Sequence, residues 1–258
     1  MSERNRTLAL LGALLLWGCG DGTGLGTDAG VSLSFSTGPA SGPAAASAAS
    51  FAISAGDLTD GQGNTLTIDS AHVVLRQIEL KRAEVVDCGV EPQPDGCEEF
   101  EIGPILVALD PNGGTQQQVT IPVPPGSYDE VEFEIHKVSS DDPEDADFRT
   151  AHGDMVDKSI QVWASYNGGP QVTYVTDLDV EQEFDLPNPL VVVDGASSTN
   201  VTIRVDLSKW FVDGSGNLVD PATGNKGGQN ESLIKENIKQ SIEAFEDKDR
   251  DGDDTDEI

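Results

Sequence analysis

Alternation of apolar and polar residues is the dominant pattern along most of this chain. From Tyr128 to His136, the residues Val131, Phe133 and Ile135 occupy every second position, and glutamates or a histidine lie between and after them. A period of two with one apolar face predicts a strand that lies on a hydrophobic core and turns its other face to water. The segment from Val201 to Leu207 repeats this pattern and predicts a second strand of the same kind.

Further strands are predicted where short apolar runs lie between turn residues: 66–68, 73–86, 105–109, 119–123, 160–166, 172–175, 180–184 and 190–193. The alternation shifts at Arg76 and Gln77, which predicts a bulge or a sheet edge at this point. Many short strands separated by turn clusters favour a sandwich over a parallel sheet. The predicted fold class is therefore all-β, an antiparallel β-sandwich with one C-terminal amphipathic helix.

The C-terminal helix is predicted from a narrow apolar stripe. Its members fall at helical spacing: Ile234, Ile238, Ile242 and Phe245. This spacing predicts a helix over 231–246 that packs on the sandwich.

The first residues have the layout of a bacterial secretory signal that ends in a lipobox. Arg4 and Arg6 precede an apolar run from Leu8 to Leu16, and Cys19 follows Gly18. The run is too short to span a bilayer, because a spanning helix needs about 20 apolar residues. We therefore expect a signal peptide over 1–18 and a lipid on Cys19, with a cell-envelope location in which the outer membrane is favoured. The alternative is an ordinary signal peptide with an incidental cysteine.

Composition divides the rest of the chain into three parts. Residues 19–50 are rich in glycine, alanine and serine and are expected to form a tether, with a short strand at 31–35. Residues 51–246 are expected to form the sandwich and its helix, and residues 247–258 form an acidic tail.

Two cysteines remain once Cys19 is assigned to the lipid. Cys88 and Cys97 bracket a segment rich in proline and glycine. In an oxidising compartment such a pair is expected to form a disulfide. A zinc site is the alternative, although two cysteines without nearby histidines supply only half of the ligands.

The charge of the chain limits its partners. Forty-six acidic residues against 15 lysines and arginines give a net charge of −31 and an isoelectric point of about 4.1. Binding to nucleic acid or to anionic lipid headgroups requires clustered basic residues, so no nucleic-acid partner is expected. The expected partners are the membrane, through the lipid anchor, and an unidentified protein or glycan. The other interpretation of the charge is a solvated acidic exterior.

The acidic tail contains the strongest chemical motif of the chain. Aspartates at alternate positions surround a glycine: Asp247, Asp249, Asp251 and Asp253, with Gly252 at the sixth position. Calcium loops place carboxylates and a glycine in this way, so the tail predicts a Ca²⁺ site, supported by the helix expected before it. Ile258 at the twelfth position departs from the EF-hand pattern, which has glutamate there. The alternative is a disordered acidic tail.

A second acidic cluster lies between two predicted strands, with members Asp141, Asp142, Glu144, Asp145 and Asp147. It is interpreted as a solvated loop, with a second cation site as the alternative.

Trp163 is the candidate ligand platform. It shares the polar face of its predicted strand with Gln161 and Ser165. An indole on such a face can stack against a sugar or peptide ring. The alternative is that a loop or the helix covers this indole.

Two segments resemble known proteins. The segment from Pro122 to Tyr128, Pro-Val-Pro-Pro-Gly-Ser-Tyr, resembles the proline/alanine-glycine-x-tyrosine turn of prealbumin-like (transthyretin-like) β-sandwiches. The segment from Ile68 to Arg82 resembles a signature of a family of bacterial lipoproteins of unknown function. The resemblance implies an extracytoplasmic β-sandwich and transfers no catalytic residues.

These observations together favour a lipid-anchored extracytoplasmic binding or structural module, stabilised by calcium, with an unknown ligand. The sequence contains no Gly-x-Ser-x-Gly, His-Glu-x-x-His or Walker motif, so we do not expect an enzyme. Two alternatives remain: a module that binds carbohydrate or another polymer, and a hydrolase that uses paired carboxylates.

Overall fold

The computed structural model describes residues 30–38, 57–82, 102–193 and 199–252 of the 258-residue chain. These residues are mostly β-strand, in two sheets, which confirms the predicted all-β sandwich. The strands are β1 (Gly30–Thr37), β2 (Asp57–Thr59), β3 (Thr65–Arg82), β4 (Ile105–Leu109), β5 (Gly114–Pro122), β6 (Gly126–Ile135), β7 (Ile160–Tyr166), β8 (Gln171–Thr176), β9 (Val180–Val192), β10 (Thr199–Val205) and β11 (Ile242–Glu246). The α-helices are α1 (Ala146–Ala151) and α2 (Glu231–Lys239).

Sheet A contains four strands in the order β11-β10-β1-β5. β1 lies inside this sheet, parallel to β10 and antiparallel to β5. Its alternate residues Val31, Leu33 and Phe35 are buried in the core. The strand predicted at 31–35 is therefore real but longer, and it belongs to the sandwich, which begins before the predicted boundary at residue 51.

Sheet B is organised around β3, an 18-residue strand. One side of β3 pairs first with β7 and then with β6, which continue to β8 and β9, and β2 and β4 also pair with β3. The register between β3 and β6 shifts between Arg76 and Glu79, and Gln77 has a φ of 50°. The predicted irregularity at Arg76 and Gln77 is therefore confirmed as a bulge in a continuous strand.

The core lies between the two sheets. Phe35 and Ile203 of sheet A meet Val73 and Phe133 of sheet B there. Trp210 lines one side of this core and is fully buried. Burial of each large apolar side chain contributes about 1.5–3 kcal/mol, so this layer supplies most of the stabilising free energy.

The C-terminal helix is shorter than predicted. α2 ends at Lys239, and residues 242–246, predicted as its last turns, form the strand β11 instead. β11 pairs with β10 and satisfies the backbone groups along that edge. Ile242 and Ala244 then face the core at the period of a strand. The prediction of a continuous helix over 231–246 was wrong because an i, i+4 apolar pair does not exclude an adjoining strand.

The polar faces of two strands are also buried, although the alternation predicts that they face water. Thr202 and Arg204 of β10 are buried, and so is His136 after β6. A second apolar cluster on the outside of sheet B contains Phe148 and Met155 of the β6–β7 connection, together with Val74, Val138 and Leu106. This connection folds back over β6 and covers the end of its polar face.

No helix of the described ranges is long and apolar enough to span a membrane. Several predicted features fall outside those ranges: Cys19, Cys88, Cys97 and Asp253. The lipid on Cys19 and the disulfide between Cys88 and Cys97 therefore stay predictions.

Candidate metal centre

The strand β11 delivers Asp247 to the outer side of sheet A. Its last residue, Glu246, pairs with Val201 of β10. The next backbone N–H, of Asp247, donates to the carbonyl of Asn200 at 3.1 Å, so the ladder extends into the acidic loop. The first aspartate of the predicted calcium loop is consequently fixed by the sheet rather than by a helix, and the expected support from an entering helix is absent.

The carboxylate of Asp247 is fully buried. Its Oδ2 accepts hydrogen bonds from the hydroxyl of Thr202 at 2.6 Å and from the backbone N–H of Gly252 at 3.1 Å. Its Oδ1 is also buried and accepts no hydrogen bond from any residue in the described ranges. One carboxylate oxygen therefore holds the loop closed, and the other is left with an unused acceptor.

The loop itself makes a turn that requires glycine at position 252. Arg250 and Gly252 have φ angles of 63° and 89°, and only glycine adopts the second without strain. A Cβ at Gly252 would also lie 2.2 Å from Oγ1 of Thr115 and 3.0 Å from Cβ of Ser36. The glycine that follows the alternating aspartates is thus needed both for the turn and for its close approach to β1 and β5.

Three of the four predicted calcium ligands come together. Asp247, Asp249 and Asp251 each offer a carboxylate oxygen, and these oxygens lie within 4.8 Å of one another. Asp249 and Asp251 are exposed, whereas Asp247 forms the buried side of the group. Such a group can hold a metal ion, and carboxylate oxygens are the ligands that hard divalent cations prefer.

A chain of buried polar side chains leads from β1 to this group. Ser34 donates to Oδ1 of Asn200 at 2.8 Å, Nδ2 of Asn200 donates to Thr202 at 3.0 Å, and Thr202 donates to Asp247. Hydrogen bonds along this chain satisfy polar atoms that the covering loop has removed from water. The aspartate at its end carries the charge of the network.

Without a cation, the buried negative charge of Asp247 lowers the stability of the folded state. Oδ1 of Asp247 is buried and accepts no hydrogen bond from the residues that the structure describes. Burial of a carboxylate without compensation destabilises the folded state by several kcal/mol. Lys248, the next residue along the chain, forms an ion pair with Glu246 at 2.9 Å.

The second acidic cluster does not form one site. Asp145 is fully buried, and its carboxylate accepts the N–H of Ser139 at 2.6 Å and lies 2.9 Å from Nε2 of His136. Asp142 lies 3.5 Å from Nη1 of Arg76. The remaining members, Asp141, Glu144 and Asp147, are exposed. The cluster is therefore partly the solvated loop that we expected, while Asp145 has a buried partner that sequence reasoning missed.

A mixed nitrogen and oxygen group lies beside that buried pair. Glu134, His136 and Asp179 each offer one ligand atom within 4.8 Å of the others. Burial raises the pKa of Glu134, and the neighbouring Asp179 raises it further against the opposing effect of Arg76. A signal for part of this group is present in the sequence, because positions 134 and 136 share one face of a strand. Asp179 is distant in the sequence and could not have been assigned to it.

A third acidic group lies on the exposed face of β6 and β9. Hydrogen bonding and charge from Glu132 raise the pKa of Glu181 to about 7. Lys81 contacts Glu132 and Glu130, and its pKa is raised chiefly by the hydrogen bond with Glu132. These are the paired carboxylates behind the hydrolase alternative. Glu181 and Glu183 are exposed on an open sheet surface, which is typical of a solvated ladder.

The structure places Trp163, Gln161 and Ser165 on one face of β7, as predicted. Trp163 is half-buried, with Ser70 and Thr173 as its cross-strand neighbours. Gln161 is buried, with only 9% of its surface exposed. The indole contacts the ring of His72 edge to face, with 5.0 Å between centroids. This contact buries part of the indole surface.

No protein-family model matches the chain, and no curated protein matches it. Among solved structures, the chain is similar to MbnP from Methylosinus trichosporium, with 12% sequence identity and a TM-score of 0.36. That match covers 71% of this chain and 78% of the MbnP chain. Similarity at this level assigns neither a ligand nor an activity, so the candidate sites rest on their own geometry.

Proposed function

We propose that this chain is a lipid-anchored extracytoplasmic β-sandwich with a binding or structural role, stabilised by a calcium ion on sheet A. One observation carries the calcium assignment: the fully buried carboxylate of Asp247, whose Oδ1 has no hydrogen-bond partner among the described residues. A dication beside this oxygen would compensate the buried charge. The same ion would draw the exposed carboxylates of Asp249 and Asp251 onto the sheet.

The proposed ion has a structural consequence. The loop that carries its ligands contacts three strands, through Thr202 on β10, Ser36 on β1 and Thr115 on β5. An ion in the loop would therefore fasten the C-terminal segment across sheet A. Ligands that bind only the folded state raise its stability by mass action, so the module would be most stable where calcium is abundant.

The calcium assignment is tested by thermal unfolding of the purified full chain with and without Ca²⁺. At about ten times the dissociation constant, binding adds about 1.4 kcal/mol. For a chain of this size we expect a rise of about 3–6 °C in melting temperature. Mg²⁺ at the same concentration, and NaCl at the same ionic strength, separate site binding from general screening of the acidic surface.

Matched double variants locate the site. Asp249→Asn with Asp251→Asn removes two ligands that are exposed, so it should abolish the calcium-dependent rise without unfolding the chain. Asp154→Asn with Asp185→Asn makes the same change in net charge at two exposed positions elsewhere, and it should keep the rise. Equal responses of both double variants would refute the site.

Asp247→Asn gives a sharper test, because its effect on the melting temperature should change sign between a chelator and excess Ca²⁺. Asp247→Asn keeps an acceptor for Thr202 and Gly252 but removes the buried charge. In a chelator the variant should melt at or above the temperature of the parent, because the uncompensated charge is gone. In excess Ca²⁺ the parent should be the more stable protein. A parent that is more stable under both conditions would contradict a cation role for Asp247.

The location is proposed from the N-terminal layout and the resemblance to bacterial lipoproteins. A lipid on Cys19 would hold the chain at a membrane surface, with the outer membrane favoured. The net charge of −31 favours cationic, protein or glycan partners over nucleic acid.

A further inference from the structure

The imidazole of His136 is oriented by a buried carboxylate. His136 follows β6 directly and is only 3% exposed. Its Nε2 lies 2.9 Å from both oxygens of Asp145, and Asp145 also accepts the backbone N–H of Ser139. A carboxylate accepts hydrogen bonds, so Nε2 carries the proton in the neutral imidazole. The lone pair is then on Nδ1.

Nδ1 of His136 faces two further carboxylates without bonding to either. It is buried and has no hydrogen-bond partner in the part of the chain that the structure describes. Oε2 of Glu134 and Oδ1 of Asp179 each lie 3.7 Å from it, which is longer than a hydrogen bond. Ligands about 2.1 Å from a tetrahedral metal ion are about 3.4 Å apart. The two separations from Nδ1 are thus close to this value, and all three ligand atoms lie within 4.8 Å of one another.

Both carboxylates are held in place by other groups. Oε2 of Glu134 accepts from Nε of Arg76 at 3.0 Å, and Oδ1 of Asp179 accepts from the backbone N–H of Lys137 at 3.1 Å. Glu134 and His136 lie two residues apart and share the outer side of the sheet. The geometry is consequently fixed by the strand and by a neighbouring backbone before any ion binds, as in a preorganised site.

The charge of the surroundings also favours a cation. Five carboxylates lie around the imidazole or pair with Arg76 beside it: Glu134, Asp142, Glu144, Asp145 and Asp179. The guanidinium of Arg76 lies among them, and that of Arg149 donates to the carbonyls of Ser139 and Asp142. Two guanidinium groups among five carboxylates leave the cluster negative, and a divalent ion would offset most of that charge.

We propose that His136, Glu134 and Asp179 bind a divalent transition-metal ion of the Zn²⁺ class, with Asp145 orienting the imidazole. A metal-bound histidine whose other ring nitrogen bonds a carboxylate is a recurrent arrangement, and it fixes the ring and raises its basicity. One nitrogen and two carboxylate oxygens suit Zn²⁺ better than Ca²⁺, which prefers oxygen alone. The side chain of Asp179 is 52% exposed, so water can supply a fourth ligand from that side. This site lies on sheet B and is independent of the calcium proposal.

The test is a titration of the full chain with Zn²⁺ in the presence of excess Ca²⁺, followed by calorimetry. The excess Ca²⁺ occupies sites made of oxygen alone. We expect one Zn²⁺ per chain, and Co²⁺ in its place should give the visible absorption of a site with low coordination number. Asp179→Asn keeps the acceptor for Lys137 and should weaken Zn²⁺ binding at least tenfold.

His136→Gln should abolish the binding, and His152→Gln serves as the matched control because His152 is the partly exposed histidine of the same loop. If His136→Gln does not fold, Asp179→Asn decides the question, with its circular dichroism spectrum and urea midpoint in the absence of metal as the folding control. No saturable binding in excess Ca²⁺ would overturn the proposal. Binding that is lost in His152→Gln and unchanged in Asp179→Asn would also overturn it.

Discussion

At the scale of single residues, aspartates hold loops together in this protein. Asp60, between β2 and β3, accepts the N–H groups of Gln62 and Leu218, and both the N–H and the side-chain amide of Asn64. Burial alone would raise its pKa, but these hydrogen bonds outweigh burial and lower the pKa to about 2. The ionised carboxylate therefore joins the β2–β3 turn to the chain at Leu218.

Asp60→Asn should lower stability in a pH-dependent way. A carboxyl with a depressed folded pKa stabilises the protein above its unfolded value, and this contribution is lost as the pH falls through the folded value. The urea midpoint of the variant should therefore lie below that of the parent at about pH 7. The difference should shrink between about pH 4 and about pH 2. Asp185→Asn, at an exposed position, should match the parent throughout, and a gap for Asp60→Asn that is independent of pH would refute the explanation.

The residue scale also shows what a sequence can predict about a site. Asp247, Asp249 and Asp251 are close in sequence, so their alternation was sufficient to predict that they meet. Asp179 reaches His136 only because β9 pairs with β6, and a local pattern contains no information on that pairing. The meeting of these three aspartates was therefore predictable, and the mixed cluster was not.

At the scale of elements, β11 shows why a helical period can mislead. The spacing of Ile238 and Ile242 suits a helix, but Ile242 and Ala244 are equally compatible with a strand. The strand is favoured over the helix at these residues because it pairs with the edge of β10. A helix would leave the backbone groups of that edge unpaired. Two strands, at 105–109 and 160–166, were predicted to the residue from short apolar runs between turn residues.

Phe245 tests how firmly β11 is held. It is 5% exposed, on the side of the strand opposite Ile242, and its ring lies 4.8 Å from Cζ of Arg204. Phe245→Ala should destabilise the protein by about 3 kcal/mol through lost packing and a lost cation–π contact. Phe245→Leu keeps much of the volume and should cost about 1 kcal/mol.

Urea denaturation in excess Ca²⁺ measures the loss of unfolding free energy in Phe245→Ala and in Phe245→Leu. Because β11 positions Asp247, the alanine variant should also bind Ca²⁺ more weakly than the leucine variant. Equal calcium affinity in the two variants would mean that the loop is held independently of the strand.

At the scale of the whole molecule, the order of strands could not be predicted. β1 and β10 come from opposite parts of the chain, yet they pair in parallel at the centre of sheet A. Alternation identifies the buried face of each strand but not its partner. The polar faces of both strands are buried as well, at Ser32, Ser34 and Thr202, because the C-terminal loop covers part of this sheet. A period-two pattern cannot report such a covering segment.

The whole-molecule charge provides the last prediction, which concerns the membrane anchor. A chain with a net charge of −31 is repelled by anionic lipid headgroups, so its surface cannot adsorb to them electrostatically. The membrane attachment that we propose would then come from buried acyl chains, each methylene of which contributes about 0.8 kcal/mol. Cells fed an alkyne-tagged palmitate should label the chain, and the membrane fraction should retain it in about 0.5 M NaCl, where charge interactions are screened.

Cys19→Ser should remove both the label and the membrane retention, while Cys88→Ser should leave both intact. If Cys19→Ser stays in the membrane fraction, the chain is held by something other than a lipid on that cysteine. If salt releases the parent, the attachment is electrostatic and must run through a basic partner rather than the bilayer. The expected result, salt-resistant retention that depends on one sulfur atom, would place an acidic, cation-binding sandwich at the membrane surface without any contact between its own surface and the lipid.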